Sequence, residues 1–242
     1  MRFDPRKMDR RLALSVGLSL VSLVLLSIGL IAVVSAVTDD PVQLPNEGSI
    51  DEIVEESSGG STSAGGQVAE IPPLPSGPAP VRLGVPTLYI DAPVITMGFI
   101  PDSNNIPDVP SRPDQVAWYD FTAAPALNNN AVFAGHVDWQ TPRGDPIPGA
   151  FYRLRELRIG DPITVTLEDG QVIEYAVTGN VATEYDDPNV VKSMGLTSRD
   201  VITLITCGGS WVHDPSKATG GNYSHRVIVR AERIDPVEAV AR

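Results

Sequence analysis

The sequence predicts a mainly β domain, a closed or nearly closed barrel with short helical turns, set behind an apolar helix and a linker. Three observations carry that prediction. From residue 81 onward, short apolar or alternating segments are separated by Gly and Pro, the punctuation of a β-rich fold rather than of an α/β sheet. Residues 12–37 contain no charged side chain. Between the two, residues 38–80 hold eight acidic residues and no Lys or Arg.

At the N-terminus, residues 1–11 carry Arg2, Arg6, Lys7, Arg10 and Arg11 against Asp4 and Asp9. The apolar run that follows makes a helix of roughly 39 Å at about 1.5 Å per residue, enough to cross a hydrocarbon core of about 30 Å. The basic flank would keep the N-terminus in the cytoplasm and send the rest across. The run is too long for the apolar region of a cleaved signal peptide, so residues 12–37 read as a signal-anchor. Residues 38–80 read as a disordered linker, because "SSGGSTSAGG", "IPPLPSGPAP" and like-charge repulsion leave little to bury.

Within 81–242 the elements follow in order. "VRLGVPTLYIDAPVITMGF" holds at least one strand, broken by prolines. "AVFAGHV" and "VITLITC" are short, nearly continuous apolar strands. "DPITVTLEDGQVIEYAVTGNVA" reads as a hairpin turning at Asp169-Gly170, and "HRVIVRAERI" alternates as a half-buried strand. "GAFYRLRELRIG" and "NVVKSMGLTSRD" offer short helical turns. The sequence shows no internal repeat. The net charge is −12, and the folded part has no basic stripe, which argues against a nucleic-acid partner.

Candidate chemistry rests on few residues. Cys207 is the single cysteine, so it forms no internal disulfide and no cysteine-based zinc site. Outside the cytoplasm an unpaired thiol is an oxidation liability unless a reaction needs it. A thiol becomes a good nucleophile beside a histidine, and a nearby Arg stabilises both a thiolate and an oxyanion. His136, Cys207 and Arg226 each lie at the end of a predicted strand, where distant positions converge. His213 lies in a polar loop and His225 begins the last strand.

Those residues also carry a resemblance. "AGHVDW", "TLITCGG" and "HRVIVRAE" resemble the His, Cys and Arg segments of the sortases, in that order. "AFYRLRELRIGDPITV" and "RLGVPTLYIDAPV" are similar too, and the coverage is about residues 81–235. The "GHVD" form and compact ending look most like class F sortases, with class E close. The resemblance implies an eight-stranded barrel and a transpeptidase. Cys207 would attack an LPxTG-like sorting signal between Thr and Gly, forming a thioacyl-enzyme. His136 would protonate the leaving amine and then deprotonate the incoming one, with Arg226 donating to the oxyanion or to the substrate backbone. The acceptor would be an amine of a cell-wall precursor or a pilin. Thr206, Trp211 and Tyr223 are candidates for the substrate groove, and Asp138 for orienting His136. No cofactor and no metal are implied. Two rival readings stay open: a non-catalytic, membrane-tethered β-domain that scaffolds surface proteins, and a plain cysteine hydrolase. The L,D-transpeptidases fit poorly, because their Arg follows closely behind a Ser-His-Gly-Cys run.

Overall fold

The structure, a computed structural model, describes residues 43–58, 76–103, 106–141, 143–217 and 219–234. The expected basic terminus and the expected span over 12–37 lie outside them. Among the described residues, no helix is long and apolar enough to cross a membrane.

Eight strands close into a barrel: β2 (Pro80–Val85), β3 (Ile90–Met97), β4 (Val116–Tyr119), β5 (Asn130–Gly135), β8 (Pro162–Leu167), β9 (Val172–Glu184), β10 (Val201–His213) and β11 (Gly221–Arg233). Their spatial order is β9-β11-β10-β5-β4-β3-β2-β8, and β8 pairs back onto β9 to close the ring. Two pairings, β3 with β4 and β10 with β5, are parallel, and the others around the ring are antiparallel. A small hairpin of β6 (Asp138–Gln140) and β7 (Pro146–Pro148) is inserted after β5.

The two-residue period of a strand explains which side chains fill the barrel. On β10, Ile202 and Leu204 point into the apolar core with Val227, Val229 and Ala231 of β11. The intervening Ile205 and Ile228 join separate clusters on the outer face. Each fully buried aliphatic side chain contributes roughly 1.5–3 kcal/mol. The turn at Asp169-Gly170 forms as the sequence predicts: Gly170 takes φ +86, a left-handed conformation favouring glycine. The two expected helical turns are a 3-10 turn at Leu154–Glu156 and the short helix α2 at Pro188–Lys192.

The linker reading needs one correction. Residues 43–58 are ordered against the barrel: β1 (Asn46–Glu47) pairs with β9, and α1 (Ile50–Ser58) lies beside it. The acidic composition conceals an apolar spacing, with Ile50 and Ile53 on one side packing against Val181 and Ile228. The acidic residues find bases on the barrel. Glu47 pairs with Arg158, and Glu56 pairs with Arg199 and approaches buried Arg230 at 3.6 Å. Arg230 also donates to the carbonyls of Ile53 and Ser193 and to Ser57 Oγ. Burial pushes its guanidinium down to about 10, which leaves it charged at neutral pH. The rest of the expected linker up to residue 75 lies outside the described residues.

Candidate active site

Cys207 and Arg226 stand directly opposite one another on β10 and β11. Opposed residues share a face of the sheet, and the alternation that sends Leu204 inward sends Cys207 outward. Parallel pairing of β10 with β5 ends at Ile205 and Ala134, so His136 and Cys207 each lie two residues beyond the last matched pair. Thr206 fastens this junction: its hydroxyl donates to the Gly135 carbonyl at 2.8 Å. The end of β5 and the middles of β10 and β11 therefore bring an imidazole, a thiol and a guanidinium to one rim. Cys207 and Arg226 lie within long strands, not at the strand ends the sequence predicts, because both strands run on into the hairpin arm.

The backbone at this rim leaves no room for larger residues. A Cβ on Gly149 would lie 2.2 Å from the His136 carbonyl oxygen, and one on Gly135 would lie 2.8 Å from Phe151 Cδ2. After Cys207, Gly209 adopts φ +76 where the β10–β11 register shifts between Gly208 and Trp211. That bulge redirects the two strands into a hairpin arm. The arm replaces the expected polar loop, and His213 sits at the exposed end of its β10 strand.

The electrostatics of Cys207 are balanced against ionisation. Burial pushes the thiol up, Arg226 pulls it down, and Asp138 pushes it up again, leaving it above its ordinary value. The Arg226 guanidinium donates to the His225 carbonyl and to Asn222 Oδ1, and it lies over the Tyr185 ring at 5.8 Å. The His136 ring meets the Pro110 carbonyl through Nε2 at 2.7 Å and packs edge-on against Trp139.

Two expectations about neighbours change. Asp138 does not hold His136: its Oδ2 accepts the hydroxyl of Tyr223, and the hydrogen bond of the His136 ring goes to Pro110 instead. The chain turns after Gly135, so the carboxylate two residues beyond the histidine faces the hairpin arm. Thr206 is buried with its hydroxyl bonded inside the wall, so its side chain lines no groove. Trp211 is half-exposed and packs edge-on against Tyr223 with ring centroids 5.3 Å apart.

Sequence reasoning missed Tyr119, Phe121 and Phe99. Phe99 stacks on Phe121 at 4.0 Å and Tyr119 on Phe121 at 5.0 Å. With Met97, Ala134, Met194 and Ile205, Tyr119 and Phe121 form an apolar cluster outside the barrel on the face that Cys207 shares; Tyr119 is buried in it, and Phe99 is the exposed end of the stack. Burial, with Asp108 and Cys207 adding, pushes the Tyr119 hydroxyl up to about 12. The signal was present in "VAWY", a run apolar on both faces of one strand, which implies cover outside as well as inside.

Comparison with known proteins agrees with this frame. A family model described as the sortase domain matches residues 83–234. The chain belongs to the sortase family, whose members are cysteine transpeptidases. Similar solved structures include sortase A from Corynebacterium diphtheriae, at 20% identity over 77% of this chain and 84% of that one, with a TM-score of 0.45. Sortase C from Clostridium perfringens SM101 is 18% identical over 77% and 85%, with a TM-score of 0.43. Sortase C-1 from Actinomyces oris is 23% identical over 64% and 72%, with a TM-score of 0.41. No curated protein matches the chain.

Proposed function

We propose that this chain is a membrane-anchored transpeptidase that cleaves an LPxTG-like sorting signal between Thr and Gly and passes the surface protein to an amine. The placement of Cys207 opposite Arg226, with His136 at the neighbouring strand end, is the observation that carries this reading. Cys207 Sγ attacks the Thr carbonyl carbon, and Arg226 donates hydrogen bonds to the oxyanion that forms. His136 protonates the departing amine of Gly, leaving a thioacyl-enzyme. An incoming amine then attacks the thioester and the Cys207 sulfur leaves. The resting thiol is protonated, so its proton moves to His136 as the substrate displaces water and brings the three groups together.

Exposed Phe99 and half-buried Phe121, backed by buried Tyr119, suit the apolar Leu-Pro part of such a signal. Residues 12–37 would hold the protein in the cell membrane with the barrel outside. The acceptor would be an amine of a cell-wall precursor or a pilin, and the "GHVD" segment favours class F.

The test uses the purified full chain in detergent micelles with a panel of Leu-Pro-x-Thr-Gly-like peptides and an added amine. Mass spectrometry should find cleavage after Thr and the amine adduct, both absent in Cys207→Ala. The substitution should cost more than about 10³-fold in rate. Adduct formation by Cys207→Ala would remove the nucleophile assignment, and hydrolysis without any adduct would favour a hydrolase.

A further inference from the structure

Asp138 is the carboxylate closest in sequence to His136, and the structure gives it a defined setting. It begins β6, is half-buried, and accepts the Tyr223 hydroxyl on Oδ2. Among the described residues, Oδ1 has no hydrogen-bond partner. Tyr223 reaches it from the hairpin arm of β10 and β11, buttressed by Trp211. Two hairpins are thereby tied across the rim that holds Cys207.

The charges at this rim are divided. Arg226 lies opposite the thiol on β11, His136 follows the end of β5, and Asp138 begins β6, turned toward Tyr223 of the hairpin arm. Once a thioester has formed, the sulfur carries no charge. An ammonium approaching from the β11 side meets the guanidinium and is repelled. At Asp138 it meets a carboxylate with a free oxygen, close enough to Cys207 for its charge to act on the thiol, where charge-assisted hydrogen bonding is favourable.

Resting on the transpeptidase reading above, we propose that Asp138, held by Tyr223, is the positioning residue that receives the ammonium of the acceptor at the His136 side of Cys207. The ammonium sheds one proton to water, and the resulting amine attacks the thioester carbon. The C–N bond forms and the C–S bond breaks, with its electron pair going to Cys207 Sγ. The second proton passes from nitrogen to His136, leaving a neutral amide, a thiolate and an imidazolium.

The direction in which Asp138 acts on Cys207 agrees with this placement, since its charge pushes the thiol up. A carboxylate tied to Tyr223 for structural reasons alone would affect all nucleophiles alike. A carboxylate that receives an ammonium would discriminate by charge.

The experiment uses the full chain in detergent micelles and whichever peptide of the panel wild type turns over, at neutral pH. Transfer is measured against the concentration of ethylamine, an ammonium under these conditions, and of hydroxylamine, which is uncharged. Asp138→Asn should raise the half-saturating ethylamine concentration about tenfold, and that of hydroxylamine far less. Tyr223→Phe, which frees the carboxylate, should shift ethylamine in the same direction by a smaller factor. Asp145→Asn, at the exposed turn of the β6–β7 hairpin, should keep the wild-type ratio between the two nucleophiles. Equal shifts for both nucleophiles, or no shift, would overturn the role of Asp138 while leaving the transpeptidase reading intact. If wild type turns over no peptide in the panel, the substrate reading fails and this inference falls with it.

Discussion

At Cys207 the surrounding groups act with opposite signs, and substitutions should separate them. Burial and Asp138 push the thiol above its ordinary value while Arg226 pulls it down. Arg226→Ala should therefore move the pH midpoint of thiol labelling upward, and Asp138→Asn should move it downward. The measurement is the rate of alkylation of folded protein across pH, since the thiolate is the reacting form. Movement of both variants in one direction would mean that a conformational change, rather than charge, controls the thiol. His136 is held differently, through the Pro110 carbonyl, so no single side-chain substitution removes its restraint.

At the scale of elements, the rim depends on where β5 and β10 stop running in register. The Thr206 hydroxyl bond to Gly135 joins them one residue before Cys207 and His136. Thr206→Val should cost about 1 kcal/mol in stability, read from urea denaturation, because it removes the hydroxyl bond to the half-buried Gly135 carbonyl. The crossing of Gly149 under His136 is tighter still. A Cβ there would meet the His136 carbonyl carbon at 2.6 Å, and neither backbone can yield without moving the histidine. Gly149→Ala should lower stability by about 1–3 kcal/mol. It should lower peptide turnover further than the loss of folded protein explains. Unchanged turnover in the folded fraction would show that His136 tolerates displacement.

Across the whole molecule, the barrel is closed by its own strands but its outer face is completed by the N-terminal segment. α1 covers Arg230, and among the described residues the Nε and Nη1 atoms of that guanidinium have no hydrogen-bond partner. A buried charge in that state depends on Glu56, although the 3.6 Å separation makes the pair loose. Glu56→Ala should destabilise the protein by about 3 kcal/mol, the low end for breaking a buried pair, since lifting of the helix lets water reach Arg230. A chain shortened to begin at residue 81 should unfold at lower urea than one beginning at residue 43. Equal midpoints for the two would mean that α1 contributes nothing to barrel stability. Arg230 sits four residues from Arg226 on the same face of β11, so the covered face and the rim that holds Cys207 share one strand.

The fold class was legible because barrel strands announce themselves locally. Short apolar and alternating segments, and the Asp169-Gly170 turn, are properties of neighbouring residues. The order His136, Cys207, Arg226 was legible as well, since each sits beside a strand pattern. What escaped were features set by partners distant in the chain. Residues 46–58 look like solvated acidic linker until Arg158, Arg199 and Arg230 are placed beside them. Asp138 looks like a partner for the histidine two residues away until the chain turns and Tyr223 arrives from the far hairpin. The sequence by itself determined most of the barrel strands and that His136, Cys207 and Arg226 fall in or beside them, because periodicity and turn chemistry act over a few residues. Only the tertiary structure decided which charges pair, which hydroxyl is buried and which face of the barrel is covered. Those outcomes depend on register between strands and on desolvation, and both arise only when the ring closes.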